Sequence, residues 1–352
     1  MYEKLEGLTA VEFEHPFDRN ALETLKKAPG LDALLKWLWK NGREKIQNYT
    51  YMASNVQITK NNLPEIYSIF NEARETLNMS EDIKLFAEGT VELNAFTIGA
   101  VQHQLILTRG LMNTCSKPQL KYIIGHEMGH IKAGHCLYHD AVRNIASVAM
   151  SSVSKFLNSV TSGLSTVVTE GLTLTLMHWQ QMSEFTADRA GLLACQDFKI
   201  AQETDMILSG FPSSNISDLQ RSEWIKQTKE FQNLDYGTLG DDLRKYFSGQ
   251  LNQSHPFSVL RSAEIIKWME TGGYGDVMSR KTKINDTINN KLFCENCGGT
   301  LYGPESFCPI CGSALEINPI MSETPSCPKC NLSVQSDAVY CPNCGEALLL
   351  KN

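Results

Sequence analysis

Hydrophobic residues recur every three to four positions along most of the first 270 residues, which predicts a mainly helical region. Residues 1–50 fit this pattern, with LDALLKWLWK (31–40) following the break at Pro29-Gly30. The pair Gly272-Gly273 ends the last helix. The remaining predicted helices cover 63–77, 139–160, 164–198, 217–232 and 257–270.

Two short segments depart from the helical period. VELNAFTIG (91–99) and VQHQLILT (101–108) are rich in strand-forming residues and meet at Gly99 and Ala100. We therefore expect a hairpin or two adjacent strands within the helical region.

One helix has a well-defined start at Ser116. The segment Ser116-Lys117-Pro118-Gln119 is a capping box, in which the Ser hydroxyl and the Gln side chain satisfy free backbone N–H groups. Proline is tolerated in a first helical turn. A stripe of apolar residues then predicts one buried face: Leu120, Ile123, Ile124, Met128 and Ile131.

The same helix contains HEMGH, residues 126–130. Residues four apart share a helix face, so His126 and His130 can direct two imidazoles at one ion. Zinc in such a site lowers the pKa of a water molecule, and Glu127 can take the proton. This is the HExxH signature of zinc peptidases.

A catalytic zinc needs a third protein ligand. One peptidase class takes it from HExxHxxGxxH, but here Ala133 and Cys136 stand where that pattern needs Gly and His. His135 lies on another part of the helix surface and is not expected to reach the same ion.

A later helix offers a carboxylate instead. The segment SEFTADRAG (183–191) contains Glu184, which we assign as the third ligand. Asp188 lies four residues on, on the same helix face. We expect Asp188 to accept a hydrogen bond from a ligating imidazole and fix its tautomer.

The chain resembles the gluzincin family that includes the heat-shock protease HtpX and the CAAX prenyl protease. The resemblance is carried by HEMGH and SEFTADRAG, with NAFTIG and LILTRGLM upstream. The resemblance covers 55–270. It implies an α+β fold, with a mainly helical zincin-type domain and a small mixed sheet, zinc held by His, His and Glu, and peptide-bond hydrolysis. EHPFDRNALETLKKAPGLD (14–32) is similar to the start of a soluble bacterial and plant-type branch. HtpX and the prenyl protease are integral membrane proteins, whereas this chain lacks convincing spans, so their membrane substrates are not carried over.

The resemblance implies roles for further residues. Asn94 and Ala95 would belong to the edge strand beside which a peptide substrate adds as an extra strand. HPFSVLR (255–261) matches a family pattern of His-Pro followed by Arg, so His255 or Arg261 could stabilise the oxyanion. The alternatives are that His255 is a turn residue and that Arg261 holds a carboxylate inside the domain.

Eight of the 11 cysteines lie in the C-terminal tail, in two units with identical CxxC-x10-CxxC spacing. Four thiolates in this arrangement suit tetrahedral zinc, and the two units together resemble a double zinc ribbon. Iron is the weaker alternative. The first unit contains Cys294, Cys297, Cys308 and Cys311, and the second contains Cys327, Cys330, Cys341 and Cys344.

These observations divide the chain into segments. We predict an N-terminal helical segment, a metallopeptidase domain, a linker and two small ribbons, with zinc once in the catalytic site and once in each ribbon. The boundaries are 1–54, 55–275, 276–292, 293–314, 315–326 and 327–347, of which 315–326 joins the ribbons.

Charge limits the partners. The net charge is −7 over the chain, and 3 Lys against 6 acids give −3 over 291–352, so nucleic acid is not an expected partner. Residues 1–30 lack an apolar run of signal length, and no convincing membrane span occurs, although 144–179 could touch a membrane surface. We expect a cytoplasmic protein.

The sequence thus predicts a zinc-dependent endopeptidase in which Glu127 is the general base. Its partners would be protein or peptide substrates, and its ribbons would bind substrate or an adaptor protein. The alternative is a latent peptidase-fold scaffold that acts through its ribbons.

Overall fold

The computed structural model describes residues 2–28, 31, 35, 43–147, 165–212, 215–232, 258–279, 292–293 and 300–301. His255 and the eight cysteines of the tail lie outside these residues, as do most of the predicted helix 31–40 and residues 148–164.

Among its described residues, the N-terminal part contains three helices and a short 3-10 turn at Ala10–Glu12. Helix α1 spans Pro16–Lys26, α2 spans Arg43–Ser54 and α3 spans Pro64–Thr76. The ring of His15 caps α1, because its Nδ1 accepts a hydrogen bond from the backbone N–H of Phe17.

A four-stranded mixed sheet lies beside the helices. Its order is β1 (Val56–Gln57), β2 (Ile83–Glu88), β4 (His103–Thr108) and β3 (Ala95–Ile98). The outer pairs are antiparallel, whereas β2 and β4 run parallel. The β3–β4 hairpin confirms the prediction. Strand β2 was not predicted; it pairs in parallel with β4, and its residues Ile83, Leu85 and Phe86 are buried.

The remaining helices build the core. Helix α5 begins after Ser116, whose N–H donates to Gln119 Oε1 at 2.8 Å, as a capping box requires. Residues 198–208 form a separate helix, because the Asp197 side chain accepts from the N–H groups of Lys199 and Ile200 and starts it. These helices are α4 Arg109–Thr114, α5 Lys117–Lys132, α6 Cys136–Ser147, α7 Ser165–Cys195, α8 Phe198–Leu208, α9 Asp218–Gln232, α10 Ser258–Glu270 and α11 Gly273–Met278.

The arrangement confirms a mainly helical α+β domain with a small mixed sheet. Helix α6 begins three residues earlier than predicted, and α11 occupies the first residues of the predicted 276–292 linker, where Val277 is buried. Among the described residues, none of the helices combines the length and the apolar character needed to cross a bilayer.

Helices α5 and α7 pack against each other at small residues. A Cβ on Gly125 would lie 2.2 Å from Ala194 Cβ, and a Cβ on Gly129 would lie 2.6 Å from Ala190 Cβ. Neither contact could be relieved by rotating a side chain, because each Cβ is fixed to its backbone. The two glycines therefore allow the helix with HEMGH to approach the helix with Glu184.

We expect Gly125→Ala to lower the free energy of unfolding by about 1–3 kcal/mol, because the helices must separate. This exceeds the roughly 1 kcal/mol that alanine gains over glycine inside a helix. Gly275→Ala is the control, since a Cβ on that helical glycine meets nothing within 4 Å. Urea denaturation of both variants measures the difference. Equal stabilities would contradict the proposed close approach.

Candidate metal centre

Three buried side chains from two helices converge on one point. His126 Nε2 lies 3.2 Å from His130 Nε2, and the nearest Glu184 oxygens lie 3.5 and 3.3 Å from these two nitrogens. All three residues are at most 4% exposed. Among the described residues, this is the one group of His, Cys, Asp or Glu side chains with three ligand atoms close enough to hold an ion.

The spacing and the chemistry of these atoms fit zinc. Zinc binds His nitrogen and carboxylate oxygen at about 2.0–2.2 Å, so tetrahedral ligands lie roughly 3.3 Å apart. The three observed separations are 3.2, 3.3 and 3.5 Å. Each Nδ1 has another partner, so both Nε2 atoms are available to one cation. Three protein ligands leave a fourth position open, as in catalytic zinc sites.

Asp188 and Arg261 hold one side of this cluster. Asp188 Oδ1 lies 2.9 Å from His126 Nδ1, which orients the His126 Nε2 lone pair towards the ion site. Arg261 Nε donates to Asp188 Oδ2 at 2.7 Å, and its Nη1 lies 3.3 Å from Glu184 Oε2. The third guanidinium nitrogen, Nη2, donates to Asp188 Oδ1. These bonds fit the alternative in which Arg261 holds carboxylates inside the domain.

Charge in this cluster attracts cations. Burial lowers the pKa of His126, but hydrogen bonds and charge from Asp188 and Glu184 outweigh burial and raise it to about 10. Burial raises the pKa of Asp188, yet Arg261 and His126 together lower it to about 2. The pKa of nearby Asp205 is raised to about 8 by burial and by the charge of Asp188. The carboxylates of Asp188 and Glu184 therefore place negative charge beside the His126 ring.

Glu127 lies next to the ligand atoms on α5. Its Oε1 is 4.0 Å from His126 Nε2, and the side chain is only 2% exposed. A carboxylate at this distance can reach a molecule at the open position without being one of the three close ligands.

Comparison with known proteins decides the family. The model of peptidase family M48 matches residues 61–269, more than half of the chain. The chain belongs to peptidase family M48. The model named double zinc ribbon matches residues 294–345 of this M48 chain.

Among curated proteins, this M48 chain is similar to the plastoglobule-localized metallopeptidase 48, chloroplastic, of Arabidopsis thaliana. The two are 28% identical over 278 residues, which is 78% of this chain and 77% of that protein. No solved structure matches this chain. These findings confirm the predicted metallopeptidase domain followed by a double zinc ribbon, whereas the finer likeness to HtpX or the prenyl protease stays a prediction.

In this M48 chain Ala95 begins β3, one of the two edge strands of the described sheet, and Asn94 precedes it. Strand β3 contacts α5, the helix that carries HEMGH. Asn94 O accepts a hydrogen bond from the Thr108 N–H at 3.1 Å, which ties Asn94 to the neighbouring strand. Asn94 Oδ1 is buried and has no hydrogen-bond partner among the described residues.

Two residues close to the ligands were not found by sequence reasoning. His135 Nδ1 lies 2.9 Å from His130 Nδ1, and His135 Nε2 lies 3.0 Å from Asp18 Oδ2. As expected, His135 does not join the three ligand atoms. Helix α5 ends at Lys132, and Gly134 with φ 73° turns the chain back so that His135 lies behind His130. The spacing HExxHxxxxH was the available signal, but nothing in it indicates Asp18.

Proposed function

We propose that this M48 chain is a zinc-dependent endopeptidase that cleaves protein or peptide substrates at the His126, His130 and Glu184 centre. The observation that carries the proposal is the convergence of three buried side chains whose nearest nitrogens and oxygens lie 3.2–3.5 Å apart, with one Glu184 oxygen facing each histidine and Glu127 beside them. Zinc bound there would lower the pKa of a water molecule and polarise the scissile carbonyl.

In this proposal, Glu127 is the general base and then the general acid. Its carboxylate accepts the proton of the attacking water and passes it to the leaving amine. Low exposure of Glu127 strengthens its electrostatic interactions in the closed site. Arg261 keeps Asp188 and Glu184 in place through its hydrogen bonds and its ion pair with Glu184. His255 remains the candidate for oxyanion stabilisation.

Edge strand β3 supports an endopeptidase in particular. An extended peptide that added beside β3 at Asn94 and Ala95 would lie along α5, because β3 contacts that helix. Binding through backbone hydrogen bonds needs no free chain end.

For the tail, we propose two structural zinc ions and a role in recognising substrate or an adaptor protein. Its net charge of −3 over 291–352 disfavours nucleic acid. Units this short need metal to fold, which supports structural zinc in both ribbons. The cytoplasm remains the predicted compartment.

Metal analysis tests the stoichiometry. We expect three zinc ions per chain, with Glu184→Ala removing one and Cys308→Ser with Cys311→Ser removing a different one. Only the first change should abolish hydrolysis of an unfolded, dye-labelled protein, because the ribbon ion takes no part in the chemistry. Atomic absorption after gel filtration measures the zinc content. Full zinc retention in Glu184→Ala would sink the proposed third ligand.

A further inference from the structure

A buried path of hydrogen bonds runs from His130 to the N-terminal helix α1. His130 Nδ1 meets His135 Nδ1 at 2.9 Å, and His135 Nε2 meets Asp18 Oδ2 at 3.0 Å. We propose that His135 and Asp18 are positioning residues that fix the tautomer and orientation of His130 for metal binding. This inference rests on the proposed zinc site.

Proton positions along the path follow from the carboxylate of Asp18. A carboxylate accepts hydrogen bonds, so the His135 nitrogen that faces Asp18 carries the hydrogen. His135 Nδ1 of the neutral ring then holds a lone pair and accepts from His130 Nδ1–H. The His130 Nε2 lone pair is left for the ion. The opposite assignment would set a lone pair of His135 against the carboxylate and put a hydrogen on His130 Nε2.

Further bonds keep Asp18 an acceptor. Trp179 Nε1, which can only donate, bonds Asp18 Oδ1 at 3.1 Å. The Thr186 hydroxyl donates to Asp18 Oδ2 at 2.6 Å and itself accepts from the His15 N–H at 3.0 Å. Burial raises the pKa of Asp18, but His135 and Thr186 outweigh burial and lower it. Trp179, Thr186 and His135 thus each direct a donor at the Asp18 carboxylate, which acts as the acceptor.

Packing holds the path in one geometry. Asp18 is 0% exposed and His135 is 1% exposed, which keeps bulk water from competing for their hydrogen bonds. The His135 ring packs edge-on against Trp179 with centroids 5.5 Å apart, and the His139 ring packs on His130 at 4.6 Å. His139 bonds Ser183 Oγ at 2.9 Å and stands outside the path.

The hydrogen-bonded path connects the N-terminal segment, through Asp18, to the metal ligand candidate His130. Asp18 precedes residues 61–269, the range that matches family M48, and sequence analysis assigned 1–54 to a separate helical segment. His126 is oriented by a carboxylate directly, through Asp188, whereas His130 reaches its carboxylate through a second imidazole. Outer hydrogen-bond partners of this kind typically change metal affinity 10–100-fold.

The test compares zinc affinities of full-length variants by graded chelator competition. The Glu184→Ala variant should bind only the zinc of the ribbons. Subtracting its zinc-binding curve from that of the unmodified chain therefore gives the binding of the catalytic ion. We expect His135→Phe to weaken binding of that ion by about 10–100-fold. His135→Asn should recover most of the affinity, because its amide oxygen can still accept from His130 Nδ1–H. Asp18→Asn retains the shape of the side chain but loses its charge. Its affinity for the catalytic zinc should lie between those of His135→Phe and His135→Asn.

His139→Phe is the matched control. It changes a buried ring that contacts His130 without touching the bond to His130 Nδ1. Unchanged zinc affinity in His135→Phe, or an equal loss in His139→Phe, would overturn the positioning role. Circular dichroism verifies that each variant folds. If His135→Phe does not fold, the zinc affinity of Asp18→Asn provides the test, and an unchanged affinity in that variant would overturn the positioning role. If the unmodified chain holds no more zinc than Glu184→Ala, the proposed function itself fails.

Discussion

Glu127→Gln should reduce peptide hydrolysis by about 100–10,000-fold while the catalytic zinc stays bound. The amide has nearly the same shape as the carboxylate but cannot accept the proton of the attacking water. The three ligand atoms belong to other side chains and should be unaffected.

Initial rates on an unfolded, dye-labelled protein measure this loss, and atomic absorption measures the zinc. Glu203→Gln is the control, because Glu203 is also a buried glutamate, 6% exposed, but pairs with Arg221 on another helix at 2.8 Å. We expect that control to keep its activity. Full activity in Glu127→Gln would falsify the general-base mechanism.

Arg261→Met should lower the free energy of unfolding by about 3–5 kcal/mol. Arg261 is 4% exposed and neutralises Asp188 and Glu184, which are both buried. Methionine leaves these carboxylates without their cation in a region where water cannot replace it. The catalytic zinc should also bind more weakly, because Asp188 would no longer be held against His126.

Urea denaturation measures the stability, and the comparison is with Arg19→Met. The Arg19 side chain is 49% exposed and pairs with Glu14 at 2.8 Å, so its loss should cost about 0–1 kcal/mol. If Arg261→Met cost no more than Arg19→Met, Arg261 would not be the cation that the buried carboxylates require.

The metal ligands could be predicted from the sequence, because their spacing is a local property of helices. Residues four apart in a helix lie on the same face, so HEMGH predicts that His126 and His130 are neighbours before any fold is known. SEFTADRAG places Glu184 and Asp188 on one face of another helix by the same geometry. The β3–β4 hairpin was equally local, since two short strand-like segments join across Gly99 and Ala100.

The remaining features depend on contacts between residues far apart in the chain. Strand β2 exists because β4 pairs with it, and Asp18 serves the metal centre because α1 packs against α7. His135 turns back to His130 only where α5 ends and Gly134 reverses the chain.

The sequence by itself therefore determined the residues of the candidate metal site, the helices that carry them and the match to a double zinc ribbon. Only the tertiary structure decided how α5 and α7 approach at Gly125 and which buried groups orient each histidine. The physical reason is that helix periodicity is set by neighbouring residues. Burial, close packing and hydrogen bonds between distant residues are defined only once the chain has folded.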